Sequence, residues 1–86
     1  MATYDVSLRK SVLKDLEDIP KKDVARIMST IGTLASEPRP PQATKLTGQE
    51  RYRIRQGVYR IVYSIEDDQL IVCVVKVGHR KDELKL

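Results

Sequence analysis

The sequence predicts an α+β fold: a small single domain in the order β-α-α-β-β-β, with an antiparallel sheet packed against two helices. Three observations predict it. Apolar residues recur at helical spacing through the first part of the chain, the pattern changes to alternation after Pro41, and turn residues divide that second part into three strands. With 86 residues there is material for one modest core and not for two, so 1–86 reads as one domain. An apolar fraction of 41% beside 33% charged residues belongs to a folded chain, since a disordered one is poorer in Ile, Val and Leu.

Taken in order, Thr3 to Ser7 alternate weakly and read as a short strand, with Ser7 placed to cap the helix after it. The first helix runs from about Leu8 to Glu17, with Val12, Leu13 and Leu16 on one stripe and Ile19 just beyond. Pro20 suits the first turn of a second helix, in which Val24, Ile27, Met28, Ile31, Leu34 and Ala35 make one apolar stripe. Covering a sheet is the common use of such a stripe; docking a partner is the other. Glu37-Pro38-Arg39-Pro40-Pro41 ends the helix, because a residue before proline is pushed out of the helical region. Beyond the prolines, Arg51 to Arg55 alternates as Arg, Tyr, Arg, Ile, Arg, and Gln56-Gly57 forms a two-residue turn. Val58 to Ile65 and Leu70 to Val77 are β-branched strands around an Asp67-Asp68 turn, and a short piece from Gly78 to Leu86 ends the chain. No repeat and no low-complexity tract interrupts this order.

Sixteen Lys and Arg against twelve Asp and Glu leave a net charge of +4. The excess is concentrated: from Lys45 to Arg60 there are five basic residues and one acid, Glu50. Such a segment suits a polyanion or an acidic protein. Cys73 is the only cysteine, so an internal disulfide is excluded; it lies in the apolar run Leu70 to Val75 and reads as a core residue. One Cys and one His are too few ligands for a structural zinc site, and no cofactor is expected. Met1-Ala2-Thr3-Tyr4-Asp5 has no basic and then apolar signal pattern, and no apolar run nears the roughly 20 residues that span a bilayer. The expected location is the cytoplasm, with no membrane partner.

The turn sets a register. If Gln56 and Gly57 form it, Arg55 lies opposite Val58 and Arg53 opposite Arg60, and opposed residues share a face. Arg53, Arg55 and Arg60 then occupy one face, while Tyr52, Ile54, Tyr59 and Ile61 turn to the other for the helices to cover. Arginines opposed across strands repel by about a few tenths of a kcal/mol, so a fold gains nothing from the pairing itself. Two readings stand: a solvated basic face whose long side chains turn into water, or a phosphate site. Arg80, just past the last strand, completes a four-arginine cluster if that strand pairs beside Val58 to Ile65. Guanidinium forks bind phosphate oxygens two at a time, and four of them suit a pentavalent phosphorane carrying extra negative charge.

Lys45-Leu46-Thr47-Gly48, Tyr52-Arg53-Ile54-Arg55, Gly57-Val58-Tyr59-Arg60-Ile61-Val62-Tyr63 and Val77-Gly78-His79-Arg80 occur in this order behind a two-helix half. The ordered set resembles the RelE/ParE superfamily of bacterial and archaeal toxins over nearly the whole chain. The resemblance implies a RelE-like fold and ribosome-dependent cleavage of mRNA, by attack of a ribose 2′-hydroxyl on the adjacent phosphodiester. It also implies that Arg53, Arg55, Arg60 and Arg80 are catalytic, with Lys45, Arg51 and Lys81 as further RNA-binding residues. RelE toxins often carry lysine where this chain has Arg53 and Arg55; lysine can lose its proton and act as a base, which arginine essentially cannot. His79 is the one side chain whose ordinary pKa suits that duty, and a satisfied structural histidine is its other reading. Many relatives carry a tyrosine five residues after the position of His79, where Leu84 stands here. Tyr59 and Tyr63 can stack a base in its place or belong to the sheet core.

The ParE branch of the superfamily gives a rival of another class, a non-enzymatic inhibitor of DNA gyrase. A plain nucleic-acid-binding module, needing only charge and an exposed sheet, is a third reading and predicts binding that falls steeply with salt. The expected partners are the ribosomal A site with its mRNA and a RelB-like antitoxin, with operator DNA reached only through the antitoxin complex. Such antitoxins commonly fold on binding. The first helix's stripe and the C-terminal strand region are the surfaces expected to meet one.

Overall fold

Alternation in the second half of the chain builds the sheet on which everything else is placed. The computed structural model describes residues 3–48 and 50–79. Its elements are β1 (Asp5–Leu8), α1 (Lys10–Glu17), α2 (Lys21–Thr33), β2 (Thr44–Lys45), β3 (Tyr52–Gln56), β4 (Tyr59–Glu66) and β5 (Ile71–His79). Among the described residues the sheet has five strands in the order β1-β5-β4-β3-β2. The expected β3-β4-β5 meander is its centre. Two edges depart from expectation: β2, two residues long, pairs antiparallel with β3, and β1 pairs parallel with β5. The α+β class holds, with a mixed sheet in place of a purely antiparallel one.

The first turn closes one residue later than expected. Gln56 pairs with Tyr59, leaving Gly57 and Val58 as the turn, with a positive φ of 61° at Gly57. Glycine at the first of two central positions is the type II′ arrangement, which matches the twist of the flanking strands. Each β3 residue therefore meets a β4 residue two positions further on than expected, so Arg55 faces Arg60 and Arg53 faces Val62. An even displacement preserves the faces. The second turn runs Asp67 to Leu70, with Leu70 at φ 54°, and β5 starts at Ile71.

Tyr52, Ile54, Tyr59, Ile61 and Tyr63 turn toward the helices, as the alternation predicts. With Val12, Ile27, Ile31, Leu34, Val72, Val74 and Val77 they form the core, Tyr52 and Tyr59 at its margin. Val77 reaches this face because a bulge in β5 at Val75 leaves Val62 paired with Lys76 and Tyr63 with Val74. The two helical stripes are narrower than expected. Leu13 is 54% and Met28 40% exposed, so both face outward. Ser7 does not cap α1: pairing with β5 continues through Leu8, Ser7 sits opposite Cys73, and Arg9 takes the N-cap position. Pro20 stands one position before the second helix, its carbonyl accepting the N–H groups of Asp23 and Val24 at 2.9 and 3.0 Å. That helix ends at Thr33, four residues before Glu37, in a tightened turn in which Leu34 and Ala35 donate to Ile31 and Gly32.

Cys73 is half-buried and lies between Ser7 and Ser64 on the face away from the helices, not in the core. The bulge lies beyond it, so strict alternation sends it opposite to Val72 and Val74. None of the described helices is long and apolar enough to cross a membrane.

Candidate functional site

No described helix packs on the second sheet face, and its centre is basic. The pairings define two rows there. Thr44, Arg53, Val62 and Lys76 form one; Arg55, Arg60 and Gly78 form the other. Arg53 is half-buried, Arg55 is exposed and Arg60 is 4% exposed. Opposite Arg60 on β5 stands Gly78, which contributes no side chain, and the Lys76 side chain passes it, with Cε 3.8 Å from where a Cβ would stand. Arg55 and Arg53 thus present charge at the surface, while Arg60, paired with Arg55, is buried. Repulsion among three cations raises the affinity of the face for any anion that bridges them.

Gln42 and Thr44 complete one side of this face. With Arg53 and Arg55 they line a cleft of ≈ 340 Å³, open to solvent. Gln42 sits on a loop that is pinned at several points. Pro40 is buried and its carbonyl accepts the Ala43 N–H at 2.9 Å. The Pro38 carbonyl accepts from Tyr63 Oη at 2.7 Å. Arg39 forks onto Asp67 at 2.8 and 3.1 Å, donates to Tyr52 Oη at 3.1 Å and lies over the Tyr52 ring. Tyr4 also donates to Asp67, at 2.8 Å. Hydrogen bonds from Arg39 and then Tyr4 hold the Asp67 carboxyl below its usual range. Arg39 reaches the same carboxylate as β1's flank does, so the loop, the β4–β5 turn and the N-terminal strand are tied at one point. Neither Gln42 nor this network was legible as part of a site; the prolines around them signal only a chain break.

His79 lies elsewhere. It pairs with Tyr59, whose ring it meets edge-on at a centroid distance of 5.8 Å, on the helix-side face. A cleft of ≈ 270 Å³ there is lined by Asp15, Asp18, Ile19 and His79 among others. Because Arg60 pairs with Gly78, the next side chain along β5 must turn the opposite way. Nearness to Arg80 in the chain therefore does not place His79 with Arg53, Arg55 and Arg60. Lys45 also leaves the arginine face: it pairs with Tyr52 and its Nζ stands 3.6 Å from Glu50. Arg51 precedes β3, its carbonyl accepting the Leu46 N–H at 2.9 Å. Arg80, Lys81 and Leu84 lie outside the described residues. Tyr63 is fully buried, burial pushing its hydroxyl up to about 12, and Tyr59 packs against the core with its hydroxyl 3.5 Å from Asp23. Both serve the core side of the sheet. Among the described residues, no three His, Cys, Asp or Glu side chains are grouped as a metal site.

The comparisons agree with this architecture. The family described as the ParE toxin of the type II toxin–antitoxin system parDE matches residues 6–84. The chain is 31% identical over 86 residues to a putative toxin RelE1 of Methanocaldococcus jannaschii, covering 95% of this chain and 96% of the relative. Among solved structures, it is similar to a chain of the archaeal RelE–RelB complex from Pyrococcus horikoshii OT3. That likeness has a TM-score of 0.78 and 31% identity, over 91% of this chain and 96% of the other. A chain of the toxin–antitoxin complex RelBE2 from Mycobacterium tuberculosis gives a TM-score of 0.83 at 28% identity, over 95% and 97%. The chain belongs to the RelE/ParE superfamily of type II toxin–antitoxin toxins.

Proposed function

We propose that this toxin is a ribosome-dependent endoribonuclease that cuts mRNA in the decoding site. The observation that carries the reading is the grouping of Arg53, Arg55 and Arg60 on one sheet face that no described helix covers. In the proposed reaction the ribose 2′-hydroxyl gives its proton to solvent as its oxygen attacks the neighbouring phosphorus, the bond from phosphorus to the 5′-oxygen breaks and that oxygen takes a proton from solvent, and a 2′,3′-cyclic phosphate and a 5′-hydroxyl result. The phosphorane in between carries an extra negative charge. Arg55 and Arg53 meet its oxygens, the buried Arg60 adds positive potential, and Arg80 belongs to the same set by resemblance. Arginine does not accept the 2′-proton, and His79 stands across the sheet from the cluster, so the proposal gives these arginines charge stabilisation alone. The toxin acts in the cytoplasm.

A RelB-like antitoxin is the proposed silencing partner, since similar chains are held in RelE–RelB and RelBE2 complexes. Outward-facing Leu13 on α1 and the basic sheet face are the surfaces offered to it. The ParE description of the matching family favours a second reading, inhibition of DNA gyrase without cleavage. Primer extension on programmed ribosomes separates the two. Cuts inside the decoded codon that need the ribosome and disappear with Arg55→Ala support the nuclease; intact mRNA beside inhibited gyrase supports the other.

A further inference from the structure

We propose that Lys76 is a further catalytic residue of the toxin, the general acid that hands a proton to the 5′-oxygen as it leaves. This rests on the nuclease reading and adds a chemistry that the arginines cannot supply, since a guanidinium stabilises charge but does not release a proton. Lys76 pairs with Val62, in the same row as Arg53, so it rises from the arginine face. Its side chain lies along the strand. Cε passes Gly78 at 3.8 Å from where a Cβ would stand, and Gly78 is the residue paired with Arg60. Opposed Cβ positions are about 5 Å apart, which puts Lys76 Cε within about 9 Å of Arg60 Cβ. Glycine inside a strand weakens it and marks a place of close approach. Here the lysine makes the approach, over ground that a branched side chain at 78 would occupy.

Asp15 holds the ammonium there. Pairing of β1 with β5 ends at Val74, and beyond it the Val77 N–H donates to Asp15 Oδ2 at 3.2 Å. That bond fixes the carboxylate at the edge of β5, where its side chain is only 19% exposed. The other oxygen, Oδ1, stands 3.4 Å from Lys76 Nζ. An ammonium has three N–H groups, so one directed at Asp15 leaves two for the substrate. With 44% of the lysine side chain exposed, substrate can reach it. In the proposed step the electron pair of the breaking bond between phosphorus and oxygen passes to the 5′-oxygen, which takes a proton from Nζ. The amine left behind takes a proton from solvent and becomes an ammonium again. Solvent is thus the source of the proton and Lys76 its carrier. Asp15 acts through Lys76 and is a positioning residue.

The test is a single-turnover comparison, on programmed ribosomes, of ordinary mRNA with mRNA that carries sulfur in place of the 5′-oxygen at the cut bond. A thiolate leaves without a proton, so loss of the acid is felt with oxygen and not with sulfur. Lys76→Met is expected to cut ordinary mRNA at least roughly 100-fold more slowly than the wild type, and the sulfur mRNA at the wild-type rate. Lys76→Arg keeps the charge but has no proton to give, and is expected to match the methionine variant on both. Asp15→Asn still accepts the Val77 N–H and is expected to lose part of the rate with oxygen and none with sulfur. Undiminished cutting of ordinary mRNA by Lys76→Met or Lys76→Arg, or an equal loss on the two substrates, overturns the assignment and leaves the nuclease reading standing. A wild type that cuts neither mRNA removes that reading, and the assignment with it.

Discussion

Arg55 and Arg60 stand directly opposite each other on β3 and β4, two cations on adjacent strands beside the turn that joins them. Cross-strand pairs of like charge oppose folding, by an amount on the order of 0.2–1 kcal/mol. The fold therefore carries a small cost at the place where phosphate binding needs concentrated charge. Arg55→Ala is expected to raise stability by a few tenths of a kcal/mol at low salt, with the gain shrinking as salt screens the pair. Ribosome-dependent cutting is expected to fall at least roughly tenfold in the same variant. Urea unfolding at two salt concentrations, beside primer extension, checks both; a variant that is less stable and fully active contradicts the assignment.

Arg60, paired with Arg55, is 4% exposed, with Gly78 across from it on β5. As a source of positive potential, Arg60 works through its charge and not through contact with the phosphate. Arg60→Lys keeps the charge and is expected to keep most of the cutting, whereas Arg60→Met is expected to lose it. Single-turnover rates on programmed ribosomes decide this. A loss in the lysine variant as large as in Arg60→Met would show that the planar fork is needed and not charge alone.

Periodicity made the sheet legible in the sequence. Alternation across Arg51 to Ile65 assigns the arginines and the tyrosines to opposite faces, and misplacing the turn by one residue does no harm because the register moves by two. The same alternation, carried through the bulge at Val75, sends His79 away from the arginines; a bulge leaves no mark in a run of β-branched residues. Parallel pairing of Asp5 with Ile71 joins residues far apart in the chain, and a four-residue strand holds no sign of its direction. Gln42 was invisible for another reason. Its place beside Arg53 depends on how the proline-rich loop folds back, which rests on contacts of Pro38 and Arg39 with distant residues.

Tyr63 links that loop to the core. Its hydroxyl donates to the Pro38 carbonyl at 2.7 Å, and burial is the main cause of its rise to about 12, with Tyr52 adding to it. A phenol whose folded value is raised stabilises the fold below the unfolded value near 10 and loses that contribution as pH climbs through about 12. Absorbance titration is expected to show one tyrosine ionising only near 12, absent in Tyr63→Phe. The same variant leaves a carbonyl without its donor and is expected to cost about 1 kcal/mol at neutral pH. Unfolding by urea measures it; an unchanged midpoint would show that water replaces the hydroxyl.

Acid should release the loop through Asp67. Its carboxyl lies below the usual 3.8, chiefly because of Arg39 and then Tyr4, so its stabilising contribution is present above that value and is lost as pH falls through the lower folded value. Asp67→Asn keeps the shape and an acceptor for Tyr4 but removes the charge. At neutral pH this variant is expected to unfold at a lower urea concentration than the wild type, and the two midpoints should converge below pH 3.8. A gap that persists into acid would mean that shape and not charge holds the loop.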